Sequence, residues 1–217
     1  MSENIINEFR KNHDPVKAEA MAAYMKNQFP FLGIPRPERN KLQKEFLKQA
    51  RKVGVIDWNF ISICWDLAER EYQYLSQDYL IALKENLQKR DIEKIQELLI
   101  KKSWWDTVDA MADKLVGNLC HRFPDLTDQY IIKWAKSDNI WLVRSAILFQ
   151  LKYKEHTNNK VLEEIILKNS YSKEFFVNKA IGWALREYSK TNPEWVRTFI
   201  NNNSLSPLSE REGSKYL

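Results

Sequence analysis

The sequence predicts an all-α protein, and three observations lead to that class. The 217 residues include only 5 Gly and 7 Pro, too few for the many tight turns of a β-sandwich or β-barrel. Good helix formers fill the segments between these breakers, and hydrophobic residues make up 44 % of the chain, enough for a folded core. Apolar helical segments also recur at a fixed interval, which favours stacked helical repeats.

The N-terminal elements follow from local start and stop signals. Asp14 precedes a proline and an amphipathic run, which predicts a helix from 15 to about 28. A proline-bounded connector over 30–37 contains Gly33, and a long helix over 37–52 is expected to end at Gly54. Further helix starts are predicted at Asp57, Asp91, Asp125, Asn139, Ser172, Asn192 and Ser206.

The spacing of the later helices predicts a repeat. Val108, Val143 and Val177 lie 35 and 34 residues apart, each on the second helix of a pair, and Ile95, Ile131 and Ile165 serve as anchors on the first helices. A helix pair repeated every 34–35 residues is typical of a HEAT-like α-solenoid. We therefore expect a single domain over 1–217, with N-terminal helices over 1–56 and a right-handed solenoid of repeats over 57–217.

Solenoids line their concave surface with the second helix of each pair, and extended partners bind there. In this chain those helices are expected to begin near Tyr72, Ser103, Asn139, Ser172 and Ser206. A net charge of +5 and a pI of about 9.0 favour a polyanionic partner for that groove.

Composition argues against several other classes of protein. Cys64 and Cys120 lie in apolar helical contexts, which favours buried, reduced thiols over a disulfide. His13, His121 and His156 show no ligand spacing, so neither a metal nor a cofactor is expected. The absence of a leader segment or an 18-residue apolar run predicts a cytoplasmic protein of the bacterial cytosol or nucleoid, most simply a monomer.

The segment Ser103–Asp113 has the richest pattern. Ser103 and Asp106 match a capping box, so Asp106 is given a structural role. Asp109 follows Trp105 by four residues, so both side chains project from one face. Neighbouring tryptophans diverge by about 100°, so one of Trp104 and Trp105 should pack inside and the other should face the groove. The alternatives are a core Trp and an Asp that complements the helix dipole, although Asp109 lies beyond the first turn.

Neighbouring repeats add to this candidate site. Arg144 has the same repeat position as Asp109, one unit later, and Trp183 lies on the next second helix with Lys179 and Arg186 one turn away on either side. Each alone is an ordinary surface charge or core filler. Together, two tryptophans, a carboxylate and several cations suit a sugar-phosphate backbone, with cations on phosphates and rings on sugar or base faces.

At this point the sequence resembles the AlkD-type DNA alkylation repair glycosylases. The resemblance covers nearly the whole chain, and its blocks occur in the family's order. The matching blocks are Phe31-Leu32-Gly33-Ile34-Pro35-Arg36-Pro37-Glu38-Arg39, Arg70-Glu71-Tyr72-Gln73-Tyr74, Trp104-Trp105-Asp106-Thr107-Val108-Asp109, Leu142-Val143-Arg144, Ala180-Ile181-Gly182-Trp183-Ala184-Leu185-Arg186 and Ser209-Glu210-Arg211-Glu212.

The resemblance implies a monofunctional DNA glycosylase of base excision repair. It acts on double-stranded DNA and hydrolyses the N-glycosidic bond of cationic purines alkylated at N3 or N7. Trp105, Asp109 and Trp183 correspond to the catalytic cluster, and Arg144 to a DNA-contacting arginine. Further phosphate contacts are hypothesised for Arg39, Lys101, Lys102, Lys179, Arg186 and Arg211.

Two other interpretations remain open from sequence. The chain could bind distorted or branched DNA without cleaving it. A protein-binding helical scaffold is the third class, but the basic row formed by Arg144, Lys179 and Arg186 argues against it because a scaffold groove is expected to be apolar or acidic.

Overall fold

A computed structural model describes residues 2–217, and the regular structure over that range is entirely helical. The predicted all-α class is confirmed. Within the described residues, no helix combines the length and apolar character needed to cross a membrane. The chain divides into two compact units, one ending at Leu87 and the other spanning Gln88–Leu217. Each is described separately below.

The described part of the N-terminal unit, residues 2–87, contains five α-helices. Asp14 and Asp57 cap two of them, accepting hydrogen bonds from the backbone N–H of Lys17 and Phe60, as predicted. Gly54 ends the long helix in the left-handed conformation (φ 68°). The helices are α1 (Ser2–Lys11), α2 (Pro15–Tyr24), α3 (Arg36–Val53), α4 (Trp58–Asp66) and α5 (Arg70–Ala82), followed by a 3₁₀ turn at Lys84–Asn86.

The connector before α3 is fixed by a buried carboxylate. Glu71 on α5 accepts hydrogen bonds from the backbone N–H groups of Leu32, Gly33 and Ile34 at 2.8–3.0 Å. Gly33 has φ +85°, and a Cβ there would lie 2.1 Å from the carbonyl oxygen of Asp14. Only glycine fits this turn, because the α2 start packs directly on it.

The C-terminal unit contains the remaining helices, two of which include π-helical turns. Helix α7 continues through a π segment at Ala112–Val116 into α8, and another π segment at Thr127–Ile131 leads into α9. The helices are α6 (Asp91–Ile100), α7 (Trp105–Met111), α8 (Gly117–Arg122), α9 (Ile132–Trp134), α10 (Ile140–Leu148), α11 (Asn159–Asn169), α12 (Phe175–Ser189), α13 (Pro193–Asn202) and α14 (Pro207–Gly213), with a 3₁₀ turn at Lys154–His156.

Three predicted caps of this unit are confirmed, and the side chains of Asp91, Ser103, Asp125 and Ser172 do not cap the helices that follow them. The side chains of Asn139, Asn192 and Ser206 accept N–H bonds from the first turns of α10, α13 and α14. The predicted start at Asp91 is confirmed, since Asp91 is the first residue of α6, but its side chain accepts from Gln88 N–H and does not cap the helix. The predicted start at Ser172 is wrong, because Ser172 accepts from Glu174 N–H three residues before α12 begins. Ser103 is no cap either, because its hydroxyl donates to the carbonyl of Leu99.

Side-chain hydrogen bonds connect elements that lie about one predicted repeat apart. Asn169 donates to the carbonyl of Ala135 at a separation of 34 residues, and the hydroxyl of Tyr153 donates to the carbonyl of Gly117 at 36. The three repeat valines and the three anchor isoleucines are all buried. The helix pairing agrees with the predicted period, while the right-handed solenoid and its concave groove stay predictions.

Candidate functional site

A buried charged pair in the C-terminal unit joins α7 to α10. Arg144 Nε donates to Asp109 Oδ1 at 2.6 Å, and Arg144 Nη2 donates to Asp109 Oδ2 at 2.8 Å. The Arg144 side chain is 4 % exposed and the Asp109 side chain 14 %. This two-point geometry fixes the plane of the carboxylate and leaves only a small part of it open to a ligand.

An aromatic cluster meets the guanidinium side of the pair through Phe176. Trp104, Trp141 and Phe176 contact one another with ring centroids 5.0–5.6 Å apart. Arg144 lies 5.9 Å from the centroid of the Phe176 ring, and its Nη1 donates to the Phe176 carbonyl. All three guanidinium nitrogens therefore have protein acceptors, and a low-dielectric wall encloses them.

Burial and pairing act on the Asp109 carboxyl in opposite directions. Burial raises its pKa above the ordinary value, and the hydrogen bonds and charge of Arg144 oppose that rise. A carboxylate in such surroundings interacts more strongly with a nearby positive charge than one in water.

The two tryptophans assigned to catalysis are half-buried. Trp105 is the first residue of α7 and precedes Asp109 by one helical turn. Trp183 lies on α12, two turns after Phe176. Trp104 precedes α7 as its N-cap residue and packs in the aromatic cluster, with its indole nitrogen buried. The predicted capping box is wrong, because the helix begins at Trp105 and Ser103 bonds backwards to α6.

A second charged cluster lies between α12 and the last residues of the chain. Glu212 accepts from Lys179 at 3.0 Å, from Arg186 at 3.0 Å and from Lys215 at 2.9 Å. Its carboxylate is almost fully buried, whereas the three cations are partly exposed. Hydrogen bonds from the lysines hold the pKa of Glu212 down to about 2.

The remaining predicted phosphate contacts have different environments. Lys101 and Arg211 are exposed, and Lys102 is half-buried with a positive φ of 52°. Arg39, in the N-terminal unit, is buried and lies 4.1 Å from the centroid of the Tyr74 ring. Arg144 is equally enclosed. One aromatic ring lies near each of these two guanidinium groups, Tyr74 at Arg39 and Phe176 at Arg144.

No group of three or more His, Cys, Asp or Glu side chains within residues 2–217 is arranged to hold a metal ion. Cys64 and Cys120 are buried free thiols, as predicted, and burial raises the pKa of each to about 12. Thiolate chemistry at neutral pH is therefore disfavoured at both positions.

Sequence reasoning missed four contributors to these clusters. Trp141 and Phe176 lie 35 residues apart, one repeat period, and this spacing could have identified the aromatic wall. Glu212 and Lys215 lie in and just after the last family block, but no local spacing connects them to α12. Only the docking of α14 onto α12 brings them to Lys179 and Arg186.

Comparison with solved structures gives two informative neighbours. A protein described as a predicted DNA alkylation repair enzyme from Enterococcus faecalis is 37 % identical, with a TM-score of 0.88 over 95 % of this chain and 97 % of that one. A protein designated smu.31 from Streptococcus mutans UA159 is 21 % identical, with a TM-score of 0.59 over 82 % and 96 % of the two chains, and supports the fold alone. The comparison with curated proteins found no match.

The family comparison covers nearly the whole sequence. The model described as DNA alkylation repair enzyme matches residues 5–217, a span that includes both charged clusters and both half-buried tryptophans. Together with the similarity to the Enterococcus protein, this match identifies the chain as a member of the DNA alkylation repair enzyme family.

Proposed function

We propose that the protein is a monofunctional DNA glycosylase that hydrolyses the N-glycosidic bond of purines carrying a positive charge from alkylation at N3 or N7. The observation that carries the proposal is the Asp109 carboxylate, oriented by Arg144 and one helical turn from Trp105. Membership of the family supports a DNA substrate.

The substrate chemistry explains why one carboxylate suffices. A cationic purine leaves with the electron pair of the C1′–N bond and becomes neutral, so no acid is needed to protonate it. The sugar acquires oxocarbenium character, which a nearby anion stabilises. Asp109 supplies that anion and orients the water whose oxygen bonds to C1′, and it accepts the released proton.

The aromatic residues contribute at the same step. The faces of Trp105 and Trp183 attract the positive charge shared by the base and the sugar, at about 1–2 kcal/mol for each ring when water is excluded. Arg144 acts by positioning the carboxylate, since its guanidinium is committed to protein acceptors. The exposed cations Lys101 and Arg211 and the half-buried Lys102 contribute further phosphate contacts.

The direct test is release of N3-methyladenine and N7-methylguanine from methylated duplex DNA. Asp109→Asn keeps the shape of the side chain but removes its charge, so we expect base release to fall by roughly 10²-fold or more while DNA binding persists. Asp106→Asn on the same helix is the matched control and should release base at nearly the wild-type rate. Equal activity of the wild type and Asp109→Asn would contradict the assignment.

One observation favours a second candidate, non-catalytic binding of distorted or branched DNA. Both Asp109 oxygens accept hydrogen bonds from Arg144, so the carboxylate has no oxygen free of that partner. If the wild-type protein binds methylated DNA yet releases no base, this second function is supported and the glycosylase proposal fails.

A further inference from the structure

The charged cluster at Glu212 has more cations than an anchoring ion pair requires. One buried carboxylate accepts from three side chains, Lys179, Arg186 and Lys215, at 2.9–3.0 Å. Three positive charges against one negative charge leave an excess of two. A single lysine would neutralise the charge of the carboxylate, so the excess positive charge is available to a ligand.

The packing of α14 sets the position of Glu212. A Cβ at Gly182 on α12 would lie 2.5 Å from Glu212 Cβ and 3.0 Å from the carbonyl oxygen of Ser209, so the glycine lets the two helices meet. Ser209 is fully buried and donates its hydroxyl to the carbonyl of Asn178 on α12. The carboxylate is thus held on a rigid base, and its flexible partners converge on it.

The cations keep donors that can face a ligand. Lys179 is 39 % exposed, Arg186 25 % and Lys215 46 %, whereas Glu212 is 6 % exposed. Each ammonium has three N–H donors and the guanidinium five, so donors remain after Glu212 is satisfied. An anion that approaches from solvent therefore meets N–H groups, with the carboxylate behind them.

The cluster also shares a helix face with a residue of the proposed catalytic site. Lys179, Trp183 and Arg186 are spaced by four and three residues on α12, which places their side chains on one side of the helix. A phosphate bound by the cations would lie along the same face as the Trp183 ring. This inference rests on the proposed function only for the identity of the ligand as DNA.

We propose that Lys179, Arg186 and Lys215, arranged by Glu212, form a binding site for a phosphodiester group of the DNA backbone. Glu212 is a positioning residue: it touches no ligand but holds three long side chains in one place, which reduces the conformational entropy lost on binding. The site recognises phosphate charge and carries no sequence information.

The experiment measures affinity for an undamaged duplex over a series of salt concentrations by fluorescence anisotropy. Each phosphate that the protein neutralises contributes about 0.9 to the magnitude of the slope of log K against log salt. Because the three cations share one phosphate, Lys179→Met and Lys215→Met should each lower that slope by at most about 0.9 and weaken binding several-fold at low salt. The matched control is Lys168→Met on α11, where Lys168 pairs with Glu164 at 3.6 Å and a similar exposure. It should leave the slope unchanged.

Glu212→Gln separates positioning from simple charge. The substitution removes one negative charge and so raises the net charge by one, and electrostatics alone therefore predicts tighter DNA binding. Loss of positioning predicts weaker binding, and that is our expectation. Glu164→Gln makes the same change of charge on α11 and should bind at least as tightly as the wild type. A thermal unfolding curve for each variant identifies any loss of folded protein.

Two results would overturn the inference: slopes for both lysine variants equal to that of Lys168→Met, or tighter binding by Glu212→Gln at every salt concentration. Because the duplex is undamaged, these results are independent of base release. Lowered slopes in a protein that releases no base would uphold the phosphate site and reject the glycosylase, and the converse result would reject the site alone.

Discussion

Arg144 connects three elements through one side chain. It reaches Asp109 on α7 from α10 and the Phe176 carbonyl on α12, and it does so almost completely shielded from water. A buried ion pair of this kind contributes little net stability, because desolvation of both charges offsets their attraction. Removal of one partner is costly, since the other remains buried without compensation.

We therefore expect Arg144→Met to lower the free energy of unfolding by about 3–5 kcal/mol at neutral pH, measured by urea denaturation. The control is Arg197→Met, which removes an exposed partner of Glu194 and should cost less than about 1 kcal/mol. A similar loss of unfolding free energy in both variants would show that breaking the buried pair costs no more than breaking an exposed one.

The same variant predicts a pH dependence. Burial raises the pKa of Asp109 and Arg144 opposes the rise, so Arg144→Met should raise that pKa further. A carboxyl whose folded pKa lies above its unfolded value stabilises the fold at pH below the unfolded pKa, and this stability is lost as pH rises through the folded pKa. The cost of Arg144→Met should therefore grow between pH ~4 and pH ~7. If the stability difference between Arg144→Met and the wild type stays constant over this pH range, the predicted pH dependence is wrong.

At the scale of helices and turns, two glycines with positive φ differ in their surroundings. A Cβ at Gly33 would meet the backbone of α2 at 2.1 and 2.7 Å, whereas a Cβ at Gly54 would meet only the Asn86 amide nitrogen at 3.4 Å. Both substitutions to alanine incur the strain of the left-handed conformation, but only the first also forces backbone apart.

Gly54→Ala is accordingly expected to cost about 1–2 kcal/mol, the strain of one left-handed alanine. Gly33→Ala should cost at least about 1–3 kcal/mol more, because overpacking is added to strain. Chemical denaturation of both variants gives the comparison. Equal costs would mean that the turn before α3 relaxes freely around the new methyl group.

Elements and residues were predictable to different degrees. The valine spacing predicted the helix pairs and aligned Asp109 with Arg144, because a 35-residue period can be recognised from the positions of apolar residues alone. The caps at Asn139 and Ser206 were predictable because their bonds are local. Ser103 was misassigned because its hydroxyl has an equally local alternative acceptor, the carbonyl of Leu99 four residues earlier. The burial of Arg144 and the Glu212 cluster depend on contacts between helices far apart in the sequence, which no local pattern specifies.

For the whole molecule, the charge balance is the property most directly linked to function. A net charge of +5 is modest, and many of the basic side chains are paired with acidic ones. Long-range attraction is therefore weak, and most affinity for DNA should come from a small number of phosphate contacts.

Duplex binding should weaken at least roughly tenfold between 50 and 200 mM salt if two or more phosphates are contacted. Anisotropy titrations with undamaged DNA measure this, with an acidic protein of similar size as the competitor control. Binding that is independent of salt, or competitor displacement as efficient as that by DNA, would favour a protein-binding scaffold.

The hydrogen bonds between helices about one predicted period apart also bear on how such a chain changes its length. Asn169 and Tyr153 each reach back one period, to Ala135 and Gly117, and Arg144 reaches back one period to Asp109. A gene duplication or loss of one whole period would preserve the partners on either side of the junction. An insertion of a few residues within a pair would separate donor from acceptor. Family members of different length are therefore expected to differ by whole helix pairs or by their connecting loops.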